Sequence, residues 1–241
     1  MTGGLLSVNT GAVAPLTAGR RTVESGIVKS PVEGRVRVEG VNLAGDRQAD
    51  LSVHGGVDKA VYAYAIEDYR WWSDGLGRAL APATFGENLT VSGLEVSGAV
   101  IGERWEVGSA LLEVAQPRLP CYKLGMRMGD PVFVARFAAA NRPGAYLRIV
   151  EPGELGAGDA VRVVDRPAHG VTVAEVSRAL LGERAMWAHV LRAPELPAGV
   201  RTHLLGRLEA ARQATEAQSA SGACCGCSPP GQPRAGGGGG Y

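Results

Sequence analysis

The sequence predicts a mainly β fold with added helices (α+β), in which a closed or nearly closed barrel precedes a small helical unit and a disordered tail. Short strand-like segments recur about every ten to fifteen residues over the first two thirds of the chain, with few helices between them. The pattern becomes helical after Pro167, and beyond residue 212 the sequence is mostly Ala, Ser, Gly and Pro. We therefore divide the chain into residues 1–167, 168–212 and 213–241.

Strands are predicted where apolar residues run together or alternate with polar ones. Valines alternate with arginines in residues 34–38, which is the period of a strand with one buried face. Gly108 and Ser109 separate two such segments and are typical residues of a hairpin turn. Residues 13–19 are predicted to form a loop. The predicted strands are residues 5–8, 34–38, 60–65, 89–91, 104–107, 110–115, 145–150 and 160–164.

Helices are predicted where apolar residues recur three and four positions apart. Tyr69, Trp72 and Leu76 have this spacing. In the barrel region the predicted helices are residues 66–76, 123–128 and 131–140.

The C-terminal part is predicted to contain three helices packed on the barrel. Thr172 and Glu175 have the spacing of a capping box, and apolar residues repeat on one face after them. Residues 168–212 form this unit. Residues 213–241, which include five consecutive glycines, have too little apolar surface to become ordered.

The bulk composition excludes several classes of partner. The chain of 241 residues has a formal net charge of +1, which gives no electrostatic signature for nucleic acid or an anionic membrane. No run of about 18 apolar residues could span a bilayer, and no export signal is recognised after Met1. Cys121 is separated from Cys224, Cys225 and Cys227 in the tail, so we predict no disulfide framework and a reducing, cytoplasmic setting.

The segment 116–123 contains the cysteine on which the candidate chemistry depends. Arg118 precedes Cys121 by three positions and Lys123 follows it by two. Positive charge near a thiol favours its thiolate form, which both soft-metal binding and covalent sulfur chemistry require. The alternative is a small buried hydrophobic residue, the usual role of a single cysteine. The residue pattern leaves both roles open.

Two further segments contain residues suited to an anionic ligand. Residues 54–59 (His-Gly-Gly-Val-Asp-Lys) combine Lys59 with paired glycines, which let backbone N–H groups approach a ligand. In residues 85–88, Asn88 could donate to an anion and Glu87 could pair with a basic residue. The alternatives are an ordinary tight turn with solvated charges and a capping turn.

Other kinds of site are not predicted. The chain has no P-loop, Rossmann fingerprint or nucleophilic serine elbow, so we expect no nucleotide cofactor. The three tail cysteines could bind a soft metal ion or exchange disulfides, but they lack the fourth ligand of a structural zinc site. Zinc is not expected elsewhere either, because no two of the histidines have ligand-like spacing: His54, His169, His189 and His203.

Taken together, these segments resemble the MOSC domain family, whose fold is shared with the C-terminal part of molybdenum-cofactor sulfurases. The resemblance spans residues 3–212 and includes the helical extension of the family's YiiM-like branch, whereas the cysteine-containing tail is outside it. It rests on four blocks in the family's order: Gly-Asp-Arg-Gln-Ala-Asp through His-Gly-Gly-Val-Asp-Lys-Ala-Val at 45–61, Phe-Gly-Glu-Asn-Leu at 85–89, Gln-Pro-Arg-Leu-Pro-Cys-Tyr-Lys-Leu at 116–124, and Arg-Pro-Gly-Ala-Tyr-Leu-Arg at 142–148.

The resemblance implies a molybdenum cofactor (molybdopterin) whose metal is ligated by Cys121. It implies further that His54 and Asp58 line the pocket, where either could supply protons. YiiM-like relatives reduce N-hydroxylated bases with electrons from a redox partner, and this chain has no flavin, iron–sulfur or nicotinamide motif, so it would need a separate reductase. The groups expected to hold the cofactor are Arg118, Lys123, Lys59, Asn88 and the backbone of Gly55 and Gly56.

Two other functions stay open at the level of the sequence. One is a sulfur carrier or transferase, in which Cys121 forms a persulfide and no metal binds. The other is a module that carries the cofactor or a small anion without turnover. A molybdenum-dependent reductase of N-hydroxylated compounds is the leading hypothesis.

Overall fold

The computed structural model describes residues 1–49 and 55–222. In chain order the strands are β1 (Thr2–Thr10), β2 (Ala14–Ala18), β3 (Arg21–Ser25), β4 (Ser30–Pro31), β5 (Arg35–Glu39), β6 (Asn42–Leu43), β7 (Val61–Ala65), β8 (Leu89–Ser92), β9 (Arg104–Val107), β10 (Ala110–Pro117), β11 (Ala145–Glu151), β12 (Gly153–Gly156) and β13 (Ala160–Asp165). The α-helices are α1 (Ile66–Leu76), α2 (Tyr122–Met128), α3 (Phe133–Ala140), α4 (Val173–Leu180), α5 (Trp187–Val190) and α6 (Ala198–Gly222), and short 3-10 helices lie at Val57–Lys59, Val96–Gly98 and Arg184–Met186.

Within the described residues, seven strands form a closed β-barrel. Their order is β13-β9-β10-β11-β7-β8-β1, and pairing between β1 and β13 closes the ring. Neighbouring strands are antiparallel except β7 and β8, which are parallel because α1 connects them as a crossover. The predicted barrel and the mainly β fold with helices are confirmed.

Strand β7 separates two packed regions and contributes to both. Val61, Ala63 and Ala65 belong to the aliphatic core, which continues into the C-terminal helices. Tyr62 and Tyr64 point the other way, because side chains alternate along a strand, and join an aromatic cluster with residues of α1, α2 and α3. The sequence predicted a strand at residues 60–65 without indicating its burial, and all five residues of β7 are buried.

The first part of the chain contains a hairpin that the sequence did not reveal. Residues 13–19 were predicted to form a loop, but Ala14–Ala18 pairs with Arg21–Ser25 as β2 and β3. Pro15 and the small residues around it conceal the strand pattern. The hairpin lies outside the barrel sheet and contacts α2, where the Arg21 guanidinium stacks 4.1 Å from the Tyr122 ring centroid.

The C-terminal unit contains the three predicted helices, and the last one is longer than expected. The capping box at α4 is present: Oγ1 of Thr172 accepts from the Glu175 N–H, and the Glu175 carboxylate accepts from the Thr172 N–H. Helix α6 continues to Gly222, ten residues past the predicted boundary at 212, because Ala, Glu and Gln after that point are strong helix formers. The disorder predicted from residue 213 onward is therefore wrong for residues 213–222, and the remainder of the predicted tail, with its three cysteines, lies outside the described residues. Among the described helices, none has both the length and the apolar character needed to cross a membrane.

Candidate functional site

An open cleft lies beside the segment that follows β10. It contains about 670 Å³ of empty space, a volume that includes the open solvent at its mouth. The structure brings together five of the residues that the sequence singled out, although they come from three separate segments. They are Lys59, Asn88, Arg118, Cys121 and Lys123.

Strand β10 delivers the cysteine to this cleft. The strand ends at Pro117, which pairs with Ala145 of β11, and a three-residue turn then leads to Cys121. Cys121 has extended backbone angles and precedes α2, whose Leu124 N–H bonds to the Cys121 carbonyl at 2.9 Å. The thiol is free and partly exposed, and it lines the cleft. A ligand in the cleft can therefore contact it directly.

Arg118 is buried in the wall of the same cleft. Its side chain is 5% exposed, and its guanidinium lies 5.3 Å from the ring centroid of Phe137 on α3. Its Nη1 has no hydrogen-bond partner among the described residues. Arginine keeps its charge in proteins, and an unpaired buried donor is unfavourable. The site therefore offers an unsatisfied cationic donor to an anionic ligand.

Basic side chains outnumber acidic ones along the described lining. Asp46 is the carboxylate there, and it is paired with Lys29. Burial lowers the pKa of Lys59, and the neighbouring Asp58 opposes that shift. The resulting positive charge suits a phosphate or another anion. The basic residues of the lining are Lys29, Arg47, Lys59, Arg118 and Lys123.

Asn88 lines the cleft, but its amide bonds to the protein. Its Oδ1 accepts from the N–H of Tyr62 at 3.0 Å, and its Nδ2 donates to the carbonyl of Asn9 and to Oδ2 of Asp46 at 3.2 and 2.9 Å. Asp46 also accepts from Lys29, whose pKa is lowered by burial and raised again in part by Asp46. Asn88 thus joins three distant segments of the chain beside the cleft, a role different from the predicted donation to a ligand.

Glu87 lies behind the wall and, among the residues that the structure describes, pairs with no basic side chain, contrary to expectation. Its Oε1 accepts from Tyr69 Oη at 2.6 Å, from the Ala83 N–H at 2.7 Å and from Thr90 Oγ1 at 2.8 Å. Its Oε2 has no partner among the described residues. Burial raises the pKa of this carboxyl, and the hydrogen bonds to Oε1 oppose the shift. Glu87 therefore supports the strand entrance and makes no contact with the cleft.

The predicted contributions of residues 54–59 are only partly realised. Lys59 reaches the cleft, whereas Gly55, Gly56 and Asp58 are not part of the described lining. The Asp58 carboxylate bonds to Nε of Arg148 at 2.6 Å. His54 lies outside the described residues.

Two tyrosines in the cleft were not selected from the sequence. Tyr62 of β7 and Tyr146 of β11 are cross-strand partners with ring centroids 5.2 Å apart. Burial raises the pKa of both phenols, so both remain protonated at neutral pH. Their alternation with apolar neighbours indicates only a strand. The one sequence feature that could have marked Tyr146 as a site residue is its position in the fourth block of the family resemblance.

Glycines allow the segments of the wall to approach closely. A Cβ on Gly26 would lie 2.0 Å from the carbonyl oxygen of Arg47. Gly86 has φ +79°, and a Cβ there would lie 2.7 Å from Cγ1 of Ile27. A side chain at Gly26 would push the hairpin end away from the loop after β6, and one at Gly86 would push it away from the segment before β8, so both glycines are needed for the shape of the cleft.

Comparison with known proteins identifies the family. The family model of the MOSC domain matches residues 50–162. The uncharacterized protein YflK of Bacillus subtilis (strain 168) is 37% identical over 174 residues, which cover 72% of this chain and 79% of YflK. The chain belongs to the MOSC domain family. Protein YiiM of Escherichia coli (strain K12) is 33% identical over 176 residues, covering 71% of this MOSC protein and 76% of YiiM.

Solved structures agree with this assignment and confirm the resemblance to the YiiM-like branch. The crystal structure of YiiM from Geobacillus stearothermophilus aligns with a TM-score of 0.70 at 28% identity, covering 86% of this MOSC protein and all of that chain. YiiM from Escherichia coli aligns with a TM-score of 0.69 at 25% identity, covering 88% of this MOSC protein and 94% of that chain. A fungal relative from Gibberella moniliformis, named a reductase, is 29% identical over 81% of this chain, but the match covers only 35% of that longer protein.

Proposed function

We propose that the cleft binds a molybdenum–pterin cofactor through Cys121 and that the loaded protein reduces N-hydroxylated compounds with electrons from a separate reductase. The observation that carries this proposal is that Cys121, with a free thiol, and Arg118, whose buried Nη1 has no partner among the described residues, line the same cleft. A soft metal ligand and an anion-binding group are the two features that this cofactor requires.

The residues present fit such a group. An unsatisfied buried donor costs about 1–3 kcal/mol, and an anionic oxygen at Arg118 would remove that cost. Among the described residues Cys121 is the available thiolate ligand, and thiolates suit soft and high-valent oxo-metal centres. The excess of basic over acidic side chains along the lining matches the negative charge of a pterin phosphate.

When bound, the molybdenum centre would supply two-electron redox chemistry, and this chain supplies placement. The Cys121 sulfur would hold the metal, and Arg118, Lys59 and Lys123 would hold the phosphate. Lys123 is oriented by a hydrogen bond from Nζ to the carbonyl of Glu24 at 3.0 Å. The raised pKa of Tyr146 keeps its hydroxyl protonated, so it can donate a hydrogen bond inside the cleft.

The reaction also needs protons and electrons. Conversion of an N-hydroxylated amine to the amine consumes two electrons and two protons and releases water. Asp58 is bound to Arg148, so of the two predicted proton donors His54 is the stronger candidate. The electrons would come from the separate reductase. A link to reductase function is supported by the fungal relative, which is named a reductase and of which the matched region makes up 35%.

The proposed biological setting follows from the chemistry. A free thiol ligand is maintained best in a reducing compartment, so we propose a cytoplasmic location. Removal of N-hydroxylated bases would be a detoxification reaction.

Replacement of Cys121 tests the proposal. Because the thiol lies at an open cleft and is not part of the hydrophobic core, we expect Cys121→Ser to fold normally but to lose molybdenum and the reduction of N-hydroxylated compounds. The full chain is expressed in a host that makes the cofactor, and molybdenum and pterin per chain are measured. Cys227→Ser in the tail is the matched control and should retain both.

Each other outcome identifies a different function. A Cys121→Ser variant that keeps metal and activity contradicts the proposal. Metal-free parent protein carrying sulfane sulfur at Cys121 indicates a sulfur transferase. Bound pterin without reduction of any N-hydroxylated compound, in the presence of a competent electron donor, indicates a non-catalytic carrier.

A further inference from the structure

Lys59 reaches the cleft from a short segment with little internal support. The segment is the 3-10 turn Val57–Lys59, which has no buried residue and follows the exposed Gly56. Its own backbone contributes a hydrogen bond from the Lys59 N–H to the Gly56 carbonyl at 3.0 Å. A single 3-10 turn is weak, and contacts with the barrel strands β10 and β11 help to fix where Lys59 lies.

Two barrel strands hold this turn through Asp58. Nε of Arg148, on β11, donates to Oδ1 of Asp58 at 2.6 Å, and Nε2 of Gln116, on β10, donates to the Asp58 carbonyl at 3.2 Å. The same two strands bring Tyr146 and the Arg118 segment to the cleft. The turn is therefore fixed relative to the other side of the ligand site.

The guanidinium of Arg148 is itself fixed on its remaining sides. Nη1 donates to Oε1 of Glu113 at 2.7 Å, and Nη2 donates to the backbone carbonyl of Glu195 at 2.9 Å. Burial lowers the pKa of Arg148, and the hydrogen bonds to Asp58 and Glu113 raise it by more. A planar guanidinium can make these three contacts at once, whereas the point charge of lysine cannot.

The contact with Glu195 comes from the C-terminal helical unit. Glu195 lies between α5 and α6, and its carboxylate is 3.0 Å from Nε2 of His169. Arg148 thus contacts this helical unit and the turn that carries Lys59 with the same side chain.

We propose that Arg148 is a positioning residue, which holds Lys59 at the cleft through Asp58 and makes the ligand site depend on the C-terminal helical unit. This positioning role rests on the proposed function of the cleft in one respect, which is that Lys59 binds an anionic ligand there. The position of Lys59 can be measured without any ligand, so the two proposals can fail separately.

The first experiment measures how accessible Lys59 is in the full chain without cofactor. Acetylation of Lys59 by acetic anhydride is followed by mass spectrometry in the parent and in Arg148→Met. Release of the turn should increase the acetylation rate of Lys59 roughly threefold or more, since local opening exposes side chains, with Arg148→Lys between the two. The matched control is Arg104→Met, because Arg104 bonds to the same Glu113 at 3.1 Å and, among the described residues, makes no hydrogen bond or ion pair with the turn.

The second experiment asks whether Arg148 acts through Lys59. Binding of inorganic phosphate is measured by titration calorimetry in the parent, Arg148→Met, Lys59→Met and the double variant. We expect Arg148→Met to weaken phosphate binding about tenfold when Lys59 is present and less than about twofold when Lys59 is already replaced. The effects of two substitutions are not additive when the residues act as one unit. Arg104→Met should bind phosphate like the parent.

Two results would overturn the positioning role. One is an unchanged acetylation rate of Lys59 in Arg148→Met. The other is an equal loss of phosphate affinity with and without Lys59. If the parent binds neither phosphate nor pterin, the proposed function of the cleft fails, and the acetylation rates still decide the role of Arg148.

Discussion

At the scale of single residues, Arg118 and Glu87 show two ways to bury an ionisable group near the cleft. Both have a polar atom without a partner among the described residues, Nη1 in one case and Oε2 in the other. Arginine cannot release its proton, so only a ligand or another acceptor can satisfy Nη1. A carboxyl group can take up a proton instead, and the raised pKa of Glu87 shows that burial favours this. Arg118 therefore points to ligand binding, and Glu87 to pH-dependent stability.

Glu87→Gln tests this interpretation. The folded state holds the carboxyl proton above the usual pKa of 4.5, whereas the unfolded chain releases it. Stability contributed by Glu87 is thus complete below that pKa and is lost as the pH rises toward the raised folded value. We expect the unfolding free energy of the variant, relative to the parent, to rise with pH above 4.5 by at most about 1.4 kcal/mol per pH unit.

Urea unfolding at a series of pH values measures this difference, and Glu33→Gln is the control because Glu33 is exposed. The control should show no such trend. A difference between variant and parent that does not change with pH would mean that Glu87 is ionised in the folded protein.

At the scale of elements, the sequence predicted correctly the helices and strands whose formation depends on residues close to one another along the chain. The helix at residues 66–76 agrees with α1, which ends before Gly77 in the left-handed conformation. The hairpin β2–β3 was missed because its packing partner is Tyr122 on α2, about one hundred residues away in sequence. The full burial of β7 was also missed, since alternation cannot reveal that an aromatic cluster covers the second face.

The capping box of α4 gives a prediction at this scale. Replacing Thr172 with Ala removes the acceptor for the Glu175 N–H and should lower the free energy of unfolding by about 1 kcal/mol. Chemical denaturation of both proteins measures the change. Thr202→Ala on α6 is a control, because Thr202 is exposed and lies within a helix; an equal loss there would show that the cap is not the cause.

At the scale of the whole molecule, the cleft depends on contacts that no local pattern contains. Lys29, Asp46 and Asn88 come from three separate segments and form one network in its wall. The sequence suggested Cys121, Arg118 and Lys123 because they are close together along the chain, and Lys59 and Asn88 through anion-binding patterns and the family resemblance. The family resemblance assigned Asp58 to the pocket, whereas in the structure the distant Arg148 binds its carboxylate.

The contribution of residues 213–241 to stability and cofactor binding can be tested by a shortened protein that ends at residue 212. In α6 the contacts with the core come from the first half, where Leu204 is fully buried and Leu208 packs against the cluster. Residues 212–218 are exposed. We expect removal of residues 213–241 to change the free energy of unfolding by less than about 0.5 kcal/mol, whereas Leu204→Ala should lower it by about 2–5 kcal/mol.

The molybdenum content of the shortened protein is measured in parallel and should equal that of the full chain, because the proposed ligand Cys121 is retained. A shortened protein that is as stable as the parent but lacks metal would assign cofactor loading to the removed segment and its three cysteines.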